Sequence, residues 1–119
     1  MFRMILHELL ATTAGAQAAL FLDWEGETVE LACDHDLSDH ELRIIGAYQG
    51  IFLSRLRALC AQVEAGEPRR YKIELDTRAV LSYDVKDGYY VVLLVDTSFN
   101  EGLAWRRLEK CRERLIAEM

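Results

Sequence analysis

A nine-residue stretch, CDHDLSDHE, gathers a thiol, two imidazoles and four carboxylates. These side chains can ligate zinc, and Cys33, His35 and His40 are the candidate ligands. The spacing of the two histidines suits a zinc site, but no second cysteine stands near Cys33 to complete the usual pair. Ser38 and Glu41 instead have the spacing of a capping box, in which their side chains bond the first free amides of a helix. We therefore predict a helix entrance here, with no metal and no cofactor.

The other residues that could do chemistry show no arrangement for covalent catalysis. His7 falls on a predicted helix, where an exposed role is expected. Cys60 and Cys111 fall on helix faces that look buried, where a thiol behaves as a small hydrophobic group. The sequence has no nucleophile elbow, no phosphate-binding loop and no dinucleotide fingerprint. We predict that the protein is not an enzyme.

Composition narrows the classes of partner. The chain has 119 residues, a net charge of -6 and 51% hydrophobic residues. A nucleic-acid binder normally carries a basic face, so the acidic balance argues against nucleic acid. No apolar run approaches the ~20 residues that cross a bilayer, which argues against membrane insertion. Three widely spaced cysteines indicate reduced thiols and a cytoplasmic location.

Apolar periodicity predicts a single domain over residues 1–119 with the order α-β-β-α-β-β-β-α. The strands at 18–23 and 89–95 are the most apolar and are expected in the centre of the sheet. The strands at 28–33, 70–76 and 79–85 alternate, so they are expected further out. Short hairpins make consecutive strands neighbours. The predicted fold is α/β (α+β), a three-layer α-β-α sandwich. Its five-stranded antiparallel sheet has the order 2-1-5-4-3, with one long helix on one face and both terminal helices on the other.

The long helix, predicted over residues 38–64, carries more apolar surface than one sheet can cover. Its predicted inward face follows three- and four-residue steps and consists of Leu42, Ile45, Gln49, Phe52, Leu56, Leu59 and Val63. A second stripe consists of Ile44, Tyr48 and Ile51. One apolar face suffices for a helix on its own sheet, so the second indicates a further surface to bury. The third strand, with Tyr71, Ile73 and Leu75 on one face, is predicted at an unguarded edge that could pair with another chain.

The last helix is basic. Its cations are Arg106, Arg107, Lys110, Arg112 and Arg114. They alternate with Glu109 and Glu113, which favours a solvated face with intrahelical ion pairs. A surface for an acidic partner is the alternative interpretation.

The chain resembles the Roadblock / dynein light chain domain family, and within it the bacterial MglB-like members. The matching segments are a short first helix ending at AGA, ALFLDWEGETVELA, the long helix, KDGYYVVLLVD and NEGLAWRRLEKCRERL. The resemblance implies a homodimer in which third strands pair and long helices pack side by side. The expected interface residues are Ile44, Tyr48, Ile51, Tyr71, Ile73 and Leu75. It also implies binding to a small Ras-like GTPase, whose GTP hydrolysis bacterial members can stimulate without donating an arginine finger.

The predicted GTPase contacts are positions expected on the solvent side of the long helix, presented twice across a two-fold axis. They are Arg43, Gln49, Arg55, Arg57 and Gln62. Two alternatives remain open: a small-molecule sensor of the PAS or GAF kind, and a structural platform subunit with no GTPase partner. A sensor would need a cavity with convergent polar groups, and the two central strands offer almost none.

Overall fold

The computed structural model describes residues 1–34 and 36–119, which form three helices and five strands. The helices are α1 (Phe2–Thr12), α2 (Asp39–Gln62) and α3 (Glu101–Ala117). The strands are β1 (Ala16–Leu22), β2 (Thr28–Cys33), β3 (Arg70–Glu74), β4 (Arg78–Lys86) and β5 (Tyr89–Asp96). The predicted order of elements is confirmed. Within these residues no helix has both the length and the apolar character to cross a membrane.

The sheet is antiparallel with the strand order β2-β1-β5-β4-β3, as predicted. A tight turn at Asp87 and Gly88 joins β4 to β5, and both residues have positive φ angles of 54° and 85°. An aspartate–glycine pair suits a two-residue hairpin turn because both positions need a left-handed backbone. Only β4 pairs with β3 among the described residues, so the outer edge of β3 is free within the monomer.

Two apolar cores lie on opposite faces of the sheet. The larger core packs α1 and α3 against it, with Leu6, Leu9 and Leu108 among its buried side chains. The smaller core packs α2 against the other face, and α2 contributes only Leu42 and Leu53 to it. The predicted three-layer arrangement is therefore confirmed, and the two helical layers differ in how many apolar side chains they bury against the sheet.

β4 lies outside β5 in the sheet, as predicted, but it is covered on both faces, which corrects the prediction of a single inward face. Leu81 joins the larger core and Val80 joins the smaller one. Ser82, the next residue of the strand, is fully buried, and its hydroxyl lies 3.5 Å from Gln49 Oε1 on α2. A polar residue in mid-strand made β4 look half-exposed, although a buried hydroxyl with a partner is compatible with a core position.

The side of α2 that faces the sheet consists of Leu42, Gly46, Gln49 and Leu53. The two glycines on this helix allow a close approach. A Cβ at Gly46 would lie 2.8 Å from Leu22 Cδ2, and one at Gly50 would lie 2.6 Å from Tyr90 Oη. The Tyr90 hydroxyl donates a 2.8 Å hydrogen bond to the Gly46 carbonyl. The small residues of α2, rather than its large ones, therefore determine which side of the helix faces the sheet.

This contact rotates α2 away from the predicted orientation. Phe52, Leu59 and Val63 were predicted to face inward, but 37%, 56% and 64% of their surfaces are exposed. The prediction was wrong because it followed the large apolar residues and passed over the glycines. Two of these residues, Phe52 and Leu59, belong to the exposed surface described next.

Candidate protein interaction site

α2 exposes a band of large apolar side chains along its length. They recur at helical spacing and are Ile44, Tyr48, Ile51, Phe52 and Leu59. The rings of Tyr48 and Phe52 lie 6.4 Å apart, which makes the band continuous across one turn. Scattered apolar residues are normal on a protein surface, but a contiguous exposed patch marks an interaction site.

A groove separates this band from the free edge of the sheet. Its walls are Phe52, Arg55, Leu56 and Leu59 from α2 and Tyr71 and Ile73 from β3, and its volume is ≈ 350 Å³. We call it the α2–β3 groove. Because β3 has a free backbone edge, the groove joins an apolar helix face to unpaired strand groups. These are the two features by which one chain can extend the sheet of another.

A buried hydrogen-bond network fixes the floor of the α2–β3 groove. The Tyr71 hydroxyl donates to Gln49 Oε1 at 2.6 Å, and Gln49 Nε2 donates to the Ile45 carbonyl at 3.1 Å. Burial raises the pKa of Tyr71, so the hydroxyl keeps its proton as a donor. Gln49 is only 4% exposed, so its predicted place on the inward face is confirmed and its place among the solvent-side contacts is wrong. It ties β3 to α2 and shapes the groove from below.

The predicted interface residues fall in different places. Tyr71 and Ile73 line the α2–β3 groove. Ile44, Tyr48 and Ile51 belong to the exposed band but do not line the α2–β3 groove. Leu75 follows the end of β3 and is 52% exposed.

Sequence reasoning missed Phe52 and Leu59, which it assigned to the core. The available signal was the spacing Gly46–Gly50, which predicts the close side of a helix once glycines are counted as packing residues.

Arg57 was predicted to be a solvent-side contact, but the structure gives it a partner within the chain. Its guanidinium pairs with the Asp84 carboxylate at 2.7 Å, and its side chain is 35% exposed. The Asp84 carbonyl accepts a 2.7 Å hydrogen bond from Arg112 Nε on α3. The two arginines therefore hold the end of β4 between the helices of both layers. This corrects the prediction: Arg57 is engaged in the fold.

The remaining predicted contacts differ in whether their side chains already have a partner within the chain. Arg43 forms an exposed pair with Asp39 at 2.8 Å, one turn earlier on the helix. Arg55 and Gln62 are exposed, and Arg55 has no ion pair among the described residues. Arg55 lines the α2–β3 groove on one side of the helix and a second groove on the other. It is the cation of α2 best placed to meet a partner.

The second groove runs between α2 and the turn that joins β1 to β2, with a volume of ≈ 450 Å³. Its walls include Trp24, Ile51 and Arg55. Trp24 is 63% exposed, and its ring packs edge-on against Tyr89 at 5.5 Å.

The turn that carries Trp24 is held by its own hydrogen bonds. Asp23 Oδ1 accepts from the amides of Glu25 and Glu27 at 2.9 and 3.0 Å. An indole on a fixed turn contributes contact area to a partner at little entropic cost.

The CDHDLSDHE stretch opens α2 as predicted. Ser38 is its N-cap, and its Oγ accepts from the Glu41 amide at 3.2 Å. His35, a candidate zinc ligand, lies outside the described residues. Over residues 1–34 and 36–119, no cluster of three or more histidine, cysteine or acidic side chains could hold a metal ion.

Comparison with known proteins identifies the fold. Neither protein-family models nor curated protein sequences match the chain. The Roadblock/LC7 domain from Streptomyces avermitilis superposes with a TM-score of 0.87 at 14% identity, covering 97% of this chain and 94% of that chain. Myxococcus xanthus MglB gives 0.85 at 16% identity, with 96% and 90% covered. Gliding protein MglB from Thermus thermophilus gives 0.81 at 18% identity, with 98% and 88% covered.

These superpositions run over nearly the whole length of both chains in each pair. The sequence identity is low, so the likeness concerns the path of the backbone and not particular side chains. The resemblance stated from the sequence is confirmed at that level. The chain has the fold shared by the Roadblock/LC7 domains and MglB.

Proposed function

We propose that the protein is a non-catalytic homodimer that regulates or scaffolds a small Ras-like GTPase in the cytoplasm. The observation that carries the first half of this proposal is the α2–β3 groove, where a preformed apolar helix face meets a free strand edge. The fold shared with MglB supports the second half.

A two-fold dimer would use both features of the groove at once. Pairing of β3 with its symmetry mate extends one sheet across both subunits and satisfies the free backbone groups. The same operation brings Phe52 and Leu59 of one protomer against the helix of the other. An obligate interface is expected to be large and apolar, and the exposed band supplies the apolar part. MglB has also been solved with a tetrameric arrangement, which supports self-association of this fold.

The GTPase would then meet the outward side of the paired helices. Arg55 lies there, beside the groove walled by Trp24. Ile44 and Ile51, which the resemblance assigns to the dimer interface, lie outside the α2–β3 groove, and we place them on this outward side. Two copies of this surface flank the axis, so one GTPase astride it contacts both and the expected stoichiometry is one GTPase per dimer. Contact of this kind would stimulate hydrolysis by positioning the GTPase's own residues, without a donated arginine.

The test begins with the oligomeric state, measured by sedimentation velocity at micromolar concentration. We expect a dimer, and Ile51→Asp reports whether the outward side of α2 also belongs to the interface. A monomeric wild-type protein would contradict the proposal at its first step.

Purified small Ras-like GTPases from the source organism, loaded with a non-hydrolysable GTP analogue, are then titrated by calorimetry. Arg55→Glu should weaken GTPase binding, and added salt should reproduce part of the loss. Because Arg55 also lines the α2–β3 groove, the titration uses concentrations at which sedimentation shows the variant to be dimeric. Arg43→Glu serves as a control because Asp39 already neutralises Arg43. A stable dimer that binds none of these GTPases would instead favour the platform subunit.

A further inference from the structure

The groove between the two terminal helices is lined by three cations, and two of them, Arg107 and Lys110, have no ion pair among the described residues. α3 carries five cations against three carboxylates, although the chain as a whole has a net charge of -6. Two adjoining openings, which share Ile5 and Arg114, run between α1 and α3. We call them together the α1–α3 groove.

The predicted ladder of intrahelical pairs on α3 is largely missing. Among the described residues the α3 arginines form one intrahelical pair, a 3.8 Å contact between Arg112 and Glu109. Arg114 pairs with Glu8 across the groove. Arg107 and Lys110, which line the same side, have no ion pair in the described part of the chain.

Arg107 gives the second indication of an unfilled site. It is half-buried, and its Nε is fully shielded from solvent without a hydrogen-bond partner in the described residues. A buried donor without an acceptor is unfavourable, and each such group calls for an explanation. A carboxylate brought to this guanidinium by another chain would supply the missing acceptor.

The neighbouring end of the α1–α3 groove is apolar. Met4, Ile5 and Ala117 line a pocket of ≈ 240 Å³, and Met4 is 68% exposed. Glu118 borders its far end, so the cationic character is concentrated at Arg107 and Lys110. The groove thus presents a pocket for an apolar side chain next to sites for carboxylates.

We propose that the α1–α3 groove binds an acidic peptide segment of a partner protein. An apolar side chain of the segment fills the pocket beside Met4, and its carboxylates meet Arg107 and Lys110. A concave, narrow cleft suits a single segment better than a flat bilayer does. The net charge of -6 also repels an anionic membrane, whereas a short segment reaches only the cationic groove. This inference does not depend on the proposed GTPase function.

The test uses fluorescence anisotropy with a labelled synthetic peptide rich in glutamate and leucine. We expect saturable binding that weakens as NaCl is raised, and no binding of the same peptide with lysine in place of glutamate. The double variant Arg107→Glu, Lys110→Glu should weaken binding at least tenfold. Met4→Ser should weaken it severalfold at every salt concentration.

Arg106→Glu is the matched control. Arg106 adjoins Arg107 on the exposed side of α3 and does not line the groove. Its replacement makes the same change of charge as Lys110→Glu alone, so it should alter affinity less than twofold whereas Lys110→Glu weakens binding severalfold. Equal losses from Arg106→Glu and Lys110→Glu would overturn the proposal, because they would mean diffuse attraction to a basic helix. If the double variant is misfolded by circular dichroism, Lys110→Glu alone, at an exposed position, serves the same comparison.

Co-sedimentation with phosphatidylserine vesicles provides the other decisive comparison. No binding to the vesicles is expected. Vesicle binding that the double variant abolishes, together with no binding of the acidic peptide, would assign the groove to a membrane and overturn the proposal.

Discussion

Replacement of Leu59 by serine tests the α2–β3 groove as the dimer interface. Leu59 is 56% exposed in the monomer, so about half of its side chain remains to be buried by a partner. Burying a whole leucine stabilises by about 1.5–3 kcal/mol, so this half is worth about 1–1.5 kcal/mol per protomer. A two-fold interface buries both copies, which gives about 2–3 kcal/mol in total. At about 1.4 kcal/mol per tenfold change, the dimer Kd should rise roughly 30- to 150-fold.

The measurement is sedimentation equilibrium over a dilution series, with Val29→Ser as the control. Val29 is 41% exposed on β2, at the opposite edge of the sheet, so the same kind of change there should leave the Kd unaltered. Thermal melts should show that both variants fold, because exposed substitutions change stability by about 0.5 kcal/mol or less. If Leu59→Ser leaves the Kd unchanged, or if Val29→Ser raises it equally, the groove is not the interface.

The remaining predictions concern the fold itself. Ser38→Ala should lower the free energy of unfolding by about 1 kcal/mol in urea titrations, whereas EDTA should leave the wild-type melting temperature unchanged. Tyr71→Phe should cost about 1–3 kcal/mol, because it leaves the buried Gln49 Oε1 without its 2.6 Å donor; a loss below about 0.5 kcal/mol would show that Ser82 compensates. Burial raises the pKa of Cys111 from 9.0 to about 12. The unfolded thiol therefore ionises first, and stability should fall as pH rises from 9 towards 12, less steeply in Cys111→Ala.

The fold could be predicted from the sequence because its signals are local and agree with one another. Alternation in β2 and β3, the continuous apolar run of β5 and the turn at Gly88 together leave one strand order. The capped start of α2 at Ser38 could also be predicted, because a capping interaction spans only a few residues. None of these features depends on knowing what lies on the far side of the sheet.

The interaction surface was harder to predict because it depends on how α2 is rotated on the sheet. That rotation follows from Gly46 and Gly50, whose contribution is the absence of a side chain. Gln49 satisfied the inward spacing and was also counted among the solvent-side contacts, and Arg57 was counted among them too, because both are polar. Their partners Tyr71 and Asp84 are distant in sequence. Pairings between distant residues cannot be derived from helical periodicity alone.

The unequal cores imply that the two helical layers detach at different free energies. α2, with 24 residues, buries four of them, and α1 buries four with only 11 residues. Local opening follows burial, so amides of α2 should exchange with deuterium sooner than those of α1 and β5. Because the proposed dimer partner and GTPase cover α2 itself, each of these two associations should slow this exchange in proportion to its strength. The exchange rate of the α2 amides would then report whether the protein is monomeric, dimeric or bound to a GTPase.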